Sequence, residues 1–118
     1  MTKKRIAELY KFLAVASMKR MTDEEKVAFI RLLRLMKPVF TEIQDAAKDA
    51  LEAAQKEFKD DQNAVYSLVN KSMEDLSSQE CDVDVRKLSE EAFNRLCLSN
   101  DWNFAQIDEL EMELVIAQ

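Results

Sequence analysis

Acidic side chains at helical spacing are the first residues of this chain whose chemistry could be functional. Four of them recur every three or four residues, which in principle suits a divalent cation: Glu42, Asp45, Asp49 and Glu52. Carboxylate metal sites in helical bundles, however, combine inward-facing glutamates with a Glu-x-x-His motif, and the chain has no histidine. Asp82 and Asp84 lack the glycine and the spacing of an EF-hand loop. We therefore expect solvated carboxylates, with no metal and no cofactor.

Two missing residue types exclude most familiar catalytic designs. Without histidine, the chain lacks the commonest general base and the commonest zinc ligand. Without glycine, it cannot form a Walker loop, a dinucleotide-binding fingerprint or a G-x-S-x-G nucleophile elbow. The two cysteines, Cys81 and Cys97, are too few for a disulfide framework or a structural zinc site. We expect no catalytic residues, no enzymatic activity, and reduced thiols in a cytoplasmic protein.

Basic residues cluster in the first third of the chain. Residues 1–37 carry a net charge of +6 and residues 38–118 a net charge of −12, so the formal total is −6. The candidate basic patch for phosphate contacts is Lys3, Lys4, Arg5, Arg31, Arg34 and Lys37. Nucleic-acid binders usually combine such a face with a high overall pI, whereas the pI of this chain is about 4.8.

The composition indicates one all-α domain over residues 1–118. The chain is 47% apolar and 34% charged, and the absence of glycine argues against hairpin-rich β folds. The apolar run at residues 12–16 is too short for a secretory signal, and a membrane span needs about 20 apolar residues. We expect a soluble protein that does not bind membranes.

Helical periodicity begins directly after Thr2, a residue type that caps helices, and predicts a first helix over residues 3–20. Its core face is Ile6, Leu9, Tyr10, Leu13 and Ala16. A second apolar strip, formed by Phe12, Val15 and Met18, lies on the other side of this helix. The strip is either buried within the protein or forms part of a partner interface.

A capping box at Thr22 and Glu25 predicts the start of a second, long helix over residues 23–58. Apolar residues then follow at steps of three and four, in phase across Pro38: Phe29, Leu33, Met36, Phe40, Ile43, Ala47, Ala50 and Ala54. The continuous phase favours one helix kinked near Pro38. The alternative is a new helix with Pro38 at its first position.

The two halves of this long helix differ in character. Around Val27, Ile30, Leu32 and Leu35 it is apolar nearly all round, which predicts burial on more than one side. Beyond Pro38 the apolar stripe shrinks to alanines, and the candidate seam is Ala47, Ala50 and Ala54. An alanine seam needs a neighbouring helix, either from this chain or from another one.

Three further helices are predicted in the acidic remainder. Val65 to Leu76 forms a third helical face, a short extended link covers residues 81–86, and Ser89 caps a short helix to Leu98. The last helix continues to Ile116 with Phe104, Ile107, Leu110 and Leu114 facing inward. The sequence thus predicts an all-α helical bundle around one long kinked helix.

The layout resembles that of short helical accessory proteins of unknown function encoded by phages and prophages. The resemblance rests on an N-terminal leucine-rich helix and on three segments: MTDEEKVAFIRLLRLMKPVFTEIQDAAKDALEAAQKE, CDVDVRKLSEEAF and FAQIDELEMELV. Pro38 and the FIRLLRL stretch depart from the charged, uninterrupted helix typical of such proteins. The resemblance implies a helical fold and supplies no site residues.

Excess apolar helix surface favours a non-catalytic helical module that acts by binding proteins or assembling with itself. The candidate interface residues are Phe12, Val15, Met18, Ala47, Ala50 and Ala54. The alternative is a nucleic-acid-binding or regulatory protein that uses the basic residues between positions 3 and 37. No small-molecule ligand is implied by the sequence.

Overall fold

The computed structural model describes residues 1–116, in which five α-helices and no strand are found. The helices are α1 (Lys3–Leu13), α2 (Asp23–Glu57), α3 (Gln62–Ser78), α4 (Glu90–Leu98) and α5 (Phe104–Leu114). The predicted all-α class and the long helix are therefore confirmed. None of the helices in this range is long and apolar enough to cross a membrane.

Helix α2 runs without interruption through Pro38 for 35 residues. The alternative in which a new helix begins at Pro38 is therefore wrong. Proline cannot donate a backbone hydrogen bond, so the carbonyl of Arg34 loses its usual partner four residues on. The side chains of Met36 and Val39, on either side of the proline, are buried, and their packing offsets the lost bond.

Local capping explains where most helices begin. The Glu25 carboxylate accepts a hydrogen bond from the Thr22 amide at 2.8 Å, and the Glu25 amide donates to the Thr22 hydroxyl at 3.2 Å. The predicted capping box of α2 is thus confirmed. Ser89 caps α4 as predicted, and Asp61 caps α3 in the same way. Each cap satisfies a backbone amide that the first helical turn leaves without a partner.

Helix α1 ends at Leu13, so the predicted helix over residues 3–20 is wrong beyond that point. Side chains distant in sequence accept hydrogen bonds from the backbone amides of the following loop. The Ser17 amide donates to Asn100 Oδ1 at 2.9 Å, and the Arg20 amide donates to Ser99 Oγ at 2.8 Å. These bonds give the loop amides partners that a continued helix would otherwise have supplied.

The chain divides into two compact units. The first unit comprises Met1–Tyr10 and Lys37–Asp82, and the second comprises Lys11–Met36 and the residues from Val83 onward. Both α1 and α2 therefore contribute residues to each unit, and the division within α2 lies between Met36 and Lys37, one residue before Pro38. The expectation of one domain over residues 1–118 stays a prediction.

In the first unit, the start of α1 is bound to the second half of α2 and to the end of α3. The rings of Tyr10 and Phe40 are in contact, tilted by 37° with their centroids 4.8 Å apart, and Lys3 Nζ lies 2.9 Å from Glu42. The Lys3 amide also donates to the Gln79 carbonyl. The buried side chains that residues 37–82 supply are all small: Val39, Ala54 and Val65.

The second unit has a core of large side chains from α2, α4 and α5. Fully buried members include Phe29, Leu32, Met36, Phe93, Leu96 and Leu114. The segment before α4 is tied to the end of α5, because Leu88 accepts from the Ile116 amide and donates to the Leu114 carbonyl. Leu88 and Phe93, which bracket the start of α4, are both buried, as a hydrophobic staple requires.

Candidate protein-interaction surfaces

Large apolar side chains left in solvent are concentrated in the second unit. Its exposed members are Val15, Val27, Ile30, Leu35, Leu98, Phe104, Met112 and Ile116. Four of them have most of their surface in solvent: Val15 at 86%, Phe104 at 83%, and Leu98 and Met112 at 69% each. These exposed side chains are the candidate contact residues for a protein partner.

Helix α5 carries two of these four residues on one face, which we call the α5 surface. Its members are Phe104, Asp108, Glu111 and Met112, and all are exposed. At about 100° per residue they lie within an arc of about 100°. The buried Leu110 and Leu114 lie outside this arc. The α5 surface is therefore apolar at both ends and acidic in between.

The prediction that Phe104 faces inward is wrong. Asn103 and Gln106 form a capping box that makes Phe104 the first residue of α5. From that start, Phe104 points about 120° away from Leu110 around the helix. Sequence reasoning also missed Leu98 and Met112. Met112 could have been predicted from its spacing, because it lies eight residues after Phe104 and therefore near the same side of the helix.

Helix α2 carries a second exposed face, which we call the α2 strip. It consists of Val27, Ile30, Arg31, Arg34 and Leu35, with Val27 47%, Ile30 36% and Leu35 43% exposed. Only the opposite face, with Phe29, Leu32 and Met36, is buried. The prediction that this half of the helix is buried on more than one side is therefore wrong. Neither guanidinium of the strip forms an ion pair with any residue between 1 and 116.

The predicted strip of Phe12, Val15 and Met18 does not exist as a helical face, because α1 ends at Leu13. Phe12 is half-buried and contacts Trp102, with the two rings tilted by 37° and their centroids 5.3 Å apart. Met18 is half-buried in the loop. Of the three residues, only Val15 is largely free to contact a partner.

The alanine seam of α2 is partly covered within the chain. Ala54 is fully buried, and Ala47 and Ala50 are half-buried. Ala54 is therefore not accessible to a partner. The remaining exposed area of Ala47 and Ala50 is small because an alanine side chain is a single methyl group.

The six residues of the predicted basic patch fall into different units. Lys3, Lys4, Arg5 and Lys37 belong to the first unit, and Arg31 and Arg34 to the second. Lys3 is paired with Glu42, and Arg5 lies 3.5 Å from Glu8. The charge of the first group is thus partly neutralised by neighbouring carboxylates.

Acidic and thiol groups form no cluster suited to metal binding in the part of the chain that the structure describes. No three Asp, Glu or Cys residues of this part meet in a geometry that could hold a metal ion. No polar or charged side chain of residues 1–116 is buried. Burial raises the pKa of the Cys97 thiol, and the nearby Glu111 carboxylate adds to this effect. Cys97 is therefore kept in its less reactive, protonated form.

Comparison with protein-family models, with curated proteins and with solved structures finds no match to this chain. The resemblance of its layout to helical phage proteins stays a prediction. The candidate surfaces therefore rest on the chemistry of the residues themselves.

Proposed function

We propose that this protein is a non-catalytic helical interaction module whose contact surface lies on its second unit. The observation that carries the proposal is the exposure of Val15, Leu98, Phe104 and Met112 in one compact unit. Transferring a large apolar side chain from water into an interface contributes about 1.5–3 kcal/mol. Such residues are therefore strong candidates for binding energy, whereas isolated surface charges contribute little.

The arrangement of the ionisable groups supports a role without catalysis. General acids and bases at active sites usually owe their shifted pKa values to burial and to charged neighbours in a cleft. In residues 1–116 the charged side chains are at least partly solvated. The raised pKa of Cys97 also disfavours a nucleophilic thiolate at neutral pH.

Phe104→Glu tests the proposed surface, with Tyr66→Glu as its matched control. Both substitutions place a carboxylate at an exposed aromatic position, Phe104 in the second unit and Tyr66 in the first. Immobilised wild-type and variant chains are used to capture proteins from cells of the source organism, and the captured proteins are identified by mass spectrometry. Additional copies of this chain count as captured partners.

We expect Phe104→Glu to lose the captured partner and Tyr66→Glu to retain it, because only Phe104 belongs to the α5 surface. Thermal unfolding of both variants should match the wild type, since neither side chain is buried. An identical set of captured proteins for all three chains would contradict the proposal.

Nucleic-acid binding is the second candidate function, and the exposed guanidiniums of Arg31 and Arg34 favour it. Neither is paired with a carboxylate of residues 1–116, so both are open to an anionic partner. The net charge of −6 opposes the approach of phosphates. A gel-shift assay at low salt tests this candidate, and the lack of any shift there would end it.

A further inference from the structure

The α2 strip and the α5 surface share one spacing and carry opposite charges. The first has Val27, then Arg31, Arg34 and Leu35 at four, seven and eight residues further on. The second has Phe104, then Asp108, Glu111 and Met112 at the same three intervals. Each pattern extends over about 12 Å of helix. Two apolar ends thus enclose two basic groups in one helix and two acidic groups in the other.

Neither the α2 strip nor the α5 surface has its charges paired within residues 1–116. All the residues of the two patterns are exposed, and their four charged groups form no ion pair with any residue from 1 to 116. Elsewhere the chain does pair charges that are distant in sequence, as in Lys3 with Glu42 and Arg95 with Glu25. The complementary partner of each face is consequently free to come from another molecule.

We infer that the α2 strip of one molecule binds the α5 surface of a second copy of the same chain. This inference rests on the proposed function and names the partner of the proposed surface. Arg31 and Arg34 face Asp108 and Glu111 of the second copy, with the apolar ends on both sides of the charged pairs. Guanidinium and carboxylate groups pair through short, charge-assisted hydrogen bonds. The flanking apolar side chains limit the access of water to these bonds, which strengthens them.

Charge also selects this contact over the other possible contacts between two copies. Two α5 surfaces repel each other because both are acidic, and two α2 strips repel each other because both are basic. Only the mixed contact brings opposite charges together. In a two-fold symmetric dimer this mixed contact occurs twice, because each copy offers both faces.

Charge reversal tests the inference by sedimentation equilibrium over a wide range of concentrations. R31E/R34E makes the α2 strip acidic, and D108R/E111R makes the α5 surface basic. Each variant alone should self-associate at least about tenfold more weakly than the wild type, because like charges then meet. An equimolar mixture of the two variants should associate as the wild type does, because both mixed contacts are again complementary.

Controls separate this contact from effects of net charge and of folding. K48E/K56E reverses two exposed charges of α2 in the first unit and should leave self-association unchanged. Thermal unfolding checks that every variant is folded. If D108R/E111R is not folded, D108N/E111Q removes the same charges with little change in shape and should also weaken association.

A wild-type chain that stays monomeric at every concentration would overturn the inference, as would a mixture that fails to restore association. The Phe104→Glu capture experiment judges the proposed function separately. If Phe104→Glu abolishes capture of a different protein from a monomeric chain, the function stands and the second copy is excluded as the partner.

Discussion

The two units of this protein differ in how they use apolar side chains. Eight of the ten largest fully buried side chains belong to the second unit, and only Ile6 and Leu9 belong to the first. The second unit nevertheless also holds eight of the eleven large apolar side chains that are exposed in residues 1–116. A filled core together with exposed apolar residues indicates that the second unit has more apolar surface than its own folding requires.

The first unit has few large buried side chains, and ion pairs join parts of its surface. The terminal amine of Met1 lies 2.9 Å from Glu80, and Lys3 lies 2.9 Å from Glu42. Exposed ion pairs contribute about 0–1 kcal/mol each, less than one large buried side chain. We therefore expect buried apolar side chains of the second unit to contribute more to stability than the exposed ion pairs of the first.

Truncating one core residue in each unit tests this difference most strongly. Phe93→Ala should reduce the free energy of unfolding by about 3–5 kcal/mol, because it removes a fully buried ring and leaves a cavity. Val65→Ala, in the first unit, should reduce the free energy of unfolding by only about 2 kcal/mol, because it removes two methyl groups. Chemical denaturation measures both values. A cost for Val65→Ala equal to that for Phe93→Ala would contradict the comparison.

Asn100 holds the loop between α1 and α2 in the second unit, and its removal should have an intermediate effect. Its amide accepts from the Ser17 amide and donates to the carbonyls of Ser17 and Leu96, each at 2.9 Å. Asn100→Ala should destabilise the protein by about 1–2 kcal/mol and speed hydrogen exchange in residues 14–21.

Asn94→Ala is the matched control for this experiment, because Asn94 is an exposed residue of α4. It should leave both stability and exchange in residues 14–21 nearly unchanged. Equal exchange in the two variants would show that Asn100 does not hold the loop.

Substitution of Glu25 should have the smallest effect, and this effect should appear as a change in how stability depends on pH. The hydrogen bond from the Thr22 amide, followed by the bond from Arg95, holds the pKa of Glu25 below its usual value of 4.5, although burial opposes this. A lowered pKa means that the carboxylate stabilises the folded state at pH values above 4.5 and that this contribution is lost as the pH falls below it.

Glu25→Gln should therefore lower the free energy of unfolding by about 1 kcal/mol at neutral pH. On acidification this variant should lose less stability than the wild type. Thermal melts between neutral and acidic pH measure this difference. Glu24→Gln, an exposed substitution in the same helical turn, should retain the acid dependence of the wild type. If both variants respond to acid alike, Glu25 is not the responsible group.

Much of the helical framework could be predicted because its signals lie within a few residues of one another. The Thr22 and Glu25 capping box and the unbroken apolar phase across Pro38 correctly predicted α2. The candidate interface was harder to predict, because periodicity identifies apolar faces without showing which of them is covered. Val27 and Leu35 have the same residue types as core residues, yet both are exposed.

The sequence by itself determined the all-α class, the long helix and most of the helix starts, since helical caps and periodicity act over three or four residues. Only the tertiary structure decided where α1 ends, because Ser17 and Arg20 find their acceptors at Asn100 and Ser99, about 80 residues away. It also decided that Phe104 is exposed while Ala54 is buried. Burial depends on which elements pack together, and no local pattern contains that information.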